Sequence, residues 1–171
     1  MSGKEQDFIK EAFDTNWVVP LGPNVNAFEK SLQDFLIENG KLKIENEGKQ
    51  VVALSAGTAA LHLGLILLGV QAGDEVICQS FTFCASANPV TYLGATAVFV
   101  DSEEDTWNMN PVLLEEAIRD RIAKTGREPK AIIPVHLYGM PAKMDEIMRI
   151  AALFDVPVLE DAAEALGSEY Q

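Results

Sequence analysis

The sequence of 171 residues contains 26 Asp and Glu against 13 Lys and Arg, so its formal net charge is −13. Hydrophobic residues make up 48% of it, which is typical of a globular chain and excludes a largely disordered one. The acid excess disfavours binding to nucleic acid, because a phosphate backbone attracts clustered Lys and Arg. We therefore expect a globular protein that binds neither DNA nor RNA.

Apolar stretches and cysteines give no sign of a membrane segment or a disulfide. The longest apolar stretch, Ala59 to Val70, contains His62 and is too short to cross a bilayer. The amino terminus lacks the apolar core of a signal peptide. Cys78 and Cys84 have neither the spacing of a zinc site nor that of a CxxC motif. These features predict a cytoplasmic protein that does not associate with membranes and holds two reduced, buried thiols.

From Gln50 onward, short β-branched runs alternate with helical patterns, which predicts an α/β fold with a mostly parallel sheet. The runs are almost continuously apolar, as expected for strands that helices cover on both faces. The predicted strands are Val51 to Ser55, Glu75 to Gln79, Ala97 to Asp101, Ala131 to His136 and Pro157 to Asp161. The predicted helices between them are Thr58 to Leu68, Ala85 to Leu93, Pro111 to Ala123 and Lys143 to Phe154.

The residues before the first predicted strand have a different character. An apolar stripe of helical period predicts a helix from Val25 to Ile37, and the charged stretch Glu38 to Lys49 is typical of a surface loop. We therefore divide the chain into residues 1–49, a helical segment with a loop, and residues 50–171, which form the α/β part.

In an open parallel sheet, ligands bind beyond the carboxyl ends of the strands. Small residues around Gly57 and Thr58 connect the first predicted strand to a helix, and a helix amino terminus of this kind can bind a phosphate. The alternative is that these small residues serve packing alone. The motif is neither a Walker A loop nor a GxGxxG fingerprint.

Two further strand ends carry candidate residues. Phe83 follows the second strand and could stack on a planar ligand, although a phenylalanine more commonly packs in the core. Asp161 ends the last strand, where it could pair with a protonated heteroaromatic nitrogen or cap the next turn. His136 lies at the same edge and could contact a cofactor or substrate, although a structural histidine bonded to the backbone is its expected role.

Four segments together resemble the DegT/DnrJ/EryC1/StrS family of sugar aminotransferases. They are NWVVPLGP from Asn16, SAGTAALH from Ser55, AGDEV from Ala72 and EDAAEALG from Glu160. The resemblance implies the large domain of a fold-type I transferase, with a mostly parallel sheet, helices on both faces and pyridoxal phosphate as the cofactor. This chain would be the amino-terminal part of that domain, and the domain would be incomplete in it.

The same resemblance implies a role for each matching residue. The cofactor phosphate would be held by Gly57, Thr58 and Ala59. Phe83 would stack on the pyridine ring, Asp161 would pair with the ring nitrogen, and Glu164 would lie near the phenolic oxygen. The family's cofactor-binding lysine follows the EDAA segment, so we expect it after Gln171. We also expect a small carboxy-terminal domain outside these residues, an intact homodimer or a complementary chain, and no activity from this chain alone.

For the complete protein, the resemblance implies transfer of an amino group, with glutamate as the expected donor. The expected acceptor is a UDP-linked 4-keto-6-deoxy-N-acetylhexosamine, as in the bacillosamine and pilin-glycosylation branch of bacterial surface glycan synthesis. Two alternatives stay open at this point. One is a dehydratase of the same family with histidine in place of the lysine, and the other is a non-catalytic cofactor-binding or assembly module.

Overall fold

The computed structural model describes residues 2–38 and 51–170. The chain divides into two compact units, Met1–Leu54 and Ser55–Gln171. The boundary that the sequence predicts between residues 49 and 50 lies outside the described residues, and so does the predicted surface loop after Glu38. Within the described residues, no helix is both long enough and apolar enough to cross a membrane.

The first unit contains two helices, α1 (Glu5–Asp14) and α2 (Pro23–Glu38). Helix α2 confirms the predicted helix, and proline at its first position suits a helix start because its missing N–H would have no partner there. Helix α1 was not predicted. Two acidic residues in its first turn, Glu5 and Asp7, complement the helix dipole and could have signalled it.

The predicted strand Val51 to Ser55 is wrong, because the described residues 51–55 form no strand. This backbone is hydrogen-bonded to a side chain and not to a neighbouring strand. The N–H of Ala53 donates to Oε1 of Glu29, 2.8 Å away. Glu29 is buried in α2. The apolar run therefore contacts a carboxylate from 24 residues earlier, a partner that the local sequence pattern does not reveal.

The second unit is built on three parallel strands, β1 (Glu75–Gln79), β2 (Thr96–Val100) and β3 (Ala131–Ile133). Strand β1 lies in the centre, with the order β2-β1-β3. The ends of β1 and β2 are in register, since Gln79 lies opposite Val100. The predicted mostly parallel sheet is confirmed, although β3 is shorter than expected.

Residues 157–161 run parallel to β3 along its other side. Ile132 and Val135 each form an isolated parallel bridge, to Val158 and Asp161 respectively. The N–H of Ile132 donates to the carbonyl of Pro157 at 3.0 Å. The predicted last strand is therefore an extended segment held by separate bridges, and it brings Asp161 to the same sheet edge as the end of β1.

Helices cover both faces of this sheet, as predicted. They are α3 (Gly57–Leu67), α4 (Asn88–Tyr92), α5 (Pro111–Thr125) and α6 (Met144–Leu153). Alternate residues of β1 point to opposite sides. Val76 and Cys78 pack with α3 and α4 in one core, whereas Ile77 packs with α5 and α6 in the other.

Two predictions within the second unit need correction. The predicted helix Ala85 to Leu93 is split into a 3₁₀ turn at Cys84–Ser86 and the short helix α4, because Pro89 cannot donate a helical hydrogen bond. Both cysteines are free, but Cys84 is exposed, since it begins this turn at the sheet edge. Cys78 is buried as expected, and its burial raises the pKa of the thiol to about 12.

Candidate active site

A cavity of about 530 Å³ lies at the carboxyl edge of the sheet, entirely within the second unit. Its walls come from the start of α3, the loop after β1, the residues that follow β3 and the segment after Asp161. Of the six residues predicted for the cofactor, five line this cavity: Gly57, Thr58, Phe83, Asp161 and Glu164. Ala59 is not part of its lining.

The start of α3 supplies hydrogen-bond donors to the cavity. The N-cap residue, Ala56, has no side chain that could cap the helix. The N–H of Ala59 donates to the carbonyl of Ala56 at 3.0 Å. In the described part of the chain, no acceptor binds the N–H groups of Gly57 and Thr58, which leaves them for an anion at the positive end of the helix.

Phe83 provides an apolar ring that no core residue covers. It lies on the loop after β1, lines the cavity and is 76% exposed. A phenylalanine of the core would be buried, so the structure does not give Phe83 that role. Phe81, which the sequence analysis did not single out, lines the same cavity and contacts Trp107 edge to face, with 6.1 Å between the ring centres.

Asp161 is held by both its backbone and its carboxylate. Its N–H donates to the carbonyl of Pro134 at 2.9 Å, and its carbonyl accepts from the N–H of His136 at 3.1 Å. Oδ2 accepts a hydrogen bond of 2.6 Å from the hydroxyl of Ser86. Oδ1 accepts a longer bond of 3.3 Å from the N–H of Ala163, which is the turn-capping contact considered as the alternative.

Glu164 fixes an unusual turn that also lines the cavity. Its Oε2 accepts from the N–H of Tyr138 at 2.8 Å. Tyr138 has a left-handed backbone (φ 53°, ψ 28°) and an 82% exposed side chain. A backbone in this region is costly for a large side chain and often marks a functional site. Tyr138 was not predicted as a site residue, because a left-handed backbone conformation has no characteristic sequence periodicity.

His136 lines the cavity and is bonded to the backbone, as expected. Its Nδ1 accepts from the N–H of Ala142 at 3.0 Å, so that nitrogen carries no proton. The proton therefore sits on Nε2 and is donated to Oε2 of Glu160, 3.1 Å away. This bond lowers the pKa of Glu160, against the opposing effect of partial burial.

A buried amide pair supports the loops around the cavity. Oε1 of Gln79, at the end of β1, accepts from the N–H of Met109 at 2.8 Å. Asn108 accepts from the N–H of Leu137 at 3.0 Å and donates to the carbonyl of Met140 at 2.8 Å. It thus holds both ends of the turn that contains Tyr138. Neither residue was predicted to support the site, because these bonds join residues 29 to 32 positions apart in the chain.

The loop between β2 and α5 is closed by a buried carboxylate. Glu103 accepts hydrogen bonds from the hydroxyl and N–H of Thr106 and from the N–H of Asp105. Lys143 lies 2.9 Å from Glu103 and 2.7 Å from Asp105. Burial by itself would raise the pKa of Glu103, but the hydrogen bonds from Thr106, Lys143 and the backbone outweigh it and lower the pKa to about 2.

Glu103→Gln is expected to destabilise the fold by about 1–3 kcal/mol at pH 7, because several donors lose a charged acceptor. The pKa of Glu103 is lower in the folded state, about 2, than in the unfolded state, near 4.5. Its ionised form therefore stabilises the fold above about pH 4.5, and this contribution is lost as the pH falls toward 2. Urea unfolding between pH 7 and pH 2 should therefore show the difference between the two proteins shrinking in that window. The exposed neighbour Glu104 provides the control, Glu104→Gln, and a constant difference across the window would contradict the assignment.

Unbonded helix amides, an exposed aromatic ring and two carboxylates thus line one cavity at the carboxyl edge of a parallel α/β sheet. The model of the DegT/DnrJ/EryC1/StrS aminotransferase family matches residues 1–171. The chain belongs to this family. The resemblance seen in the sequence is thereby confirmed.

Several relatives are similar along the whole chain. It is 52% identical over 172 aligned residues to EpsN of Bacillus subtilis, whose name assigns it provisionally to the pyridoxal phosphate-dependent aminotransferases. It is 41% identical to the GDP-perosamine synthase of Caulobacter vibrioides. In both comparisons all of the chain aligns, but with only 41% of EpsN and 42% of the synthase. The chain thus spans about two fifths of the length of the curated relatives it matches.

Solved structures show the same fold. A DegT/DnrJ/EryC1/StrS aminotransferase from Brucella abortus superimposes with a TM-score of 0.83 at 38% identity, over 95% of this chain and 40% of that one. NtdA from Bacillus subtilis, solved with bound cofactor PMP, gives a TM-score of 0.77 at 32% identity. This match covers 98% of this chain and 35% of NtdA. The predicted fold class is confirmed by these likenesses.

Proposed function

We propose that the cavity binds pyridoxal phosphate and forms the cofactor-binding part of a nucleotide-sugar aminotransferase. The observation that carries the proposal is that free helix amides, an exposed aromatic ring and an anchored carboxylate line one cavity. Each is ordinary alone, but together they match a ligand with a phosphate, a flat ring and a basic nitrogen. The named cofactor of the NtdA structure, PMP, belongs to this class of compound.

The residues present fit this cofactor. The N–H groups of Gly57 and Thr58 are free for the phosphate, and a side chain at Gly57 would meet only open space, so the backbone is approachable there. Ala59, whose N–H is bonded to Ala56, completes the small-residue turn. Phe83 would cover one face of the ring. Once bound, the cofactor supplies an electron-accepting ring for the chemistry of amino transfer.

The two carboxylates have separate tasks in this proposal. Asp161 keeps the proton on the ring nitrogen, since an ionised carboxylate stabilises an adjacent positive charge. Glu164 lies at the same cavity and is oriented by the N–H of Tyr138, 2.8 Å away, and we assign it to the side of the phenolic oxygen. Neither carboxylate can replace the lysine that family members use to hold the cofactor covalently.

That lysine is proposed to lie after Gln171, outside the present residues. No lysine among the described residues lines the cavity. Lys143, which lies in the same unit, is committed to Glu103 and Asp105. The relatives extend over more than twice the length of this chain. On this proposal the 171 residues alone bind cofactor without turnover, whereas the complete protein, as a homodimer or with a complementary chain, is active.

For the substrates, we propose glutamate as the amino donor and a nucleotide-linked 4-keto-6-deoxy sugar as the acceptor, in bacterial surface glycan synthesis in the cytoplasm. A UDP-linked N-acetylhexosamine is the specific acceptor inferred from the sequence. The names of relatives support a sugar nucleotide, but they include both a GDP-linked and a UDP-linked sugar. The nucleotide must therefore be tested directly.

The test uses the complete protein with pyridoxal phosphate, glutamate and either UDP- or GDP-linked 4-keto-6-deoxy sugar. Mass spectrometry is expected to find the aminated sugar nucleotide, with the UDP-linked acceptor preferred. Borohydride reduction of the resting enzyme should attach the cofactor to a lysine after residue 171, located by peptide mapping. A labelled lysine within residues 1–171 would contradict the proposed division of the site, and loss of a sugar hydroxyl without amination would indicate the dehydratase.

A further inference from the structure

Ser86 is a buried hydroxyl in contact with the carboxylate that we assign to the ring nitrogen. The residue is 1% exposed, and its Oγ lies 2.6 Å from Oδ2 of Asp161. On its other side, Oγ lies 2.9 Å from the hydroxyl of Thr82, which lines the cavity. The three side chains form a continuous row of hydrogen bonds, and the proposed function gives no task to two of them.

The direction of these hydrogen bonds follows from counting protons. A hydroxyl has one proton to donate, whereas an ionised carboxylate can only accept. The proton of Ser86 must therefore point to Asp161 when that carboxylate is ionised. Thr82 must then donate to Ser86, because the Ser86 proton is already used. The row is polarised from Thr82 to the carboxylate, and each bond strengthens the next.

We propose that Ser86 and Thr82 are positioning residues that hold Asp161 ionised and oriented, so that it keeps the proton on the ring nitrogen of the cofactor. The inference rests on the proposed function of the cavity. It extends the site to two residues of the loop after β1. One of them, Ser86, is 75 positions from Asp161 in the sequence.

Asp161 and the ring nitrogen of the cofactor can share their proton in two ways, and Ser86 favours one of them. In one form the proton is on the nitrogen and both groups are charged, and in the other it has moved to the carboxylate and both are neutral. A hydroxyl that donates to the carboxylate stabilises only the charged form, because a charge-assisted hydrogen bond is stronger than a neutral one. Loss of the Ser86 hydroxyl should therefore shift the proton equilibrium from the nitrogen toward Asp161, and it also leaves the Thr82 hydroxyl without this acceptor.

A purely structural role for Ser86 makes a different prediction. Ser86 could simply tie the loop after β1 to the segment beside β3. Its removal would then lower the stability of the protein or the amount of folded enzyme. It would not change the position of the proton in the molecules that fold and bind cofactor.

The test measures the ¹⁵N chemical shift of the ring nitrogen in the complete holoenzyme, loaded with ring-¹⁵N pyridoxal phosphate at one fixed pH. We expect Ser86→Ala to lower the ratio of protonated to unprotonated nitrogen by about tenfold or more. Thr82→Val should lower it less, and Thr82→Ser, which keeps the hydroxyl, should behave as the parent. The double variant should match Ser86→Ala, because Thr82 acts through Ser86.

Asp161→Asn separates failure of this inference from failure of the proposed function. If Asp161→Asn loses the protonated signal while Ser86→Ala and Thr82→Val keep it, the positioning role is overturned and the cofactor assignment stands. If Asp161→Asn itself keeps the parent signal, the assignment of the cavity fails. Should Ser86→Ala not fold, the comparison of Thr82→Val with Thr82→Ser decides the question, since equal signals in that pair would overturn the role.

Discussion

Asp161→Asn in the complete protein is expected to reduce the rate of amino transfer by roughly 10²-fold or more, the loss typical when one preorganised electrostatic group is removed from an active site. Asparagine has nearly the same shape but no charge, so it cannot stabilise a protonated ring nitrogen. The contact with Ser86, 2.6 Å in the parent protein, can persist through the amide oxygen. Steady-state turnover and cofactor titration on the same preparation measure the effect.

Binding of the cofactor phosphate should largely survive this substitution, because Gly57 and Thr58 lie on a different wall of the cavity. The control is Asp155→Asn, which removes an exposed carboxylate from the residues just before the same segment. Asp155 has a left-handed backbone (φ 53°), which asparagine tolerates well. Turnover of Asp161→Asn at the level of this control would show that pairing with the ring nitrogen is wrongly assigned.

Gly57→Asp should weaken binding of pyridoxal phosphate by about tenfold or more without unfolding the protein. A carboxylate at the start of α3 would repel the phosphate, and two charges 4 Å apart near a protein surface interact by up to about 4 kcal/mol. The same carboxylate would stabilise the helix by about 0.3–1 kcal/mol through the dipole. A side chain at this position meets only open space in the structure.

Opposite effects on binding and stability make Gly57→Asp informative. Fluorescence titration with the cofactor should show weaker binding, while thermal unfolding without cofactor should show an unchanged or higher midpoint. Gly57→Ala adds a neutral methyl group to the same open space and is the matched control, with near-parent affinity. Equal affinities of the two variants would remove Gly57 from the phosphate site, whatever their stabilities.

Sequence patterns were reliable where a structure depends on neighbours along the chain. The period of apolar residues predicted the helix Val25 to Ile37, and the predicted helix Pro111 to Ala123 begins where α5 begins. In the structure, Asn110 accepts from the N–H groups of Val112 and Leu113 at 2.9 and 3.3 Å. Capping and helical periodicity act over a few residues, so they can be read without knowledge of the fold.

The same reasoning failed where a distant residue intervened. Residues 51–55 have a strand-like composition, yet the backbone N–H of Ala53 bonds Glu29 in α2. Cys84 has apolar neighbours along the chain but is exposed, because the loop after β1 turns it away from the core. In both cases tertiary contacts outweighed local propensity, which is a weak preference for short segments.

By itself, the sequence determined a mostly parallel α/β fold and the identity of the residues at its strand ends. Hydrophobic periodicity specifies which faces are buried, and parallel strands bring their carboxyl ends to one edge. Only the tertiary structure decided which of those residues meet. Ser86 meets Asp161 because of the register between β1, β3 and residues 157–161. Glu164 meets the N–H of Tyr138 because of the left-handed turn there. Such contacts join loops far apart in the chain, and no local pattern encodes them.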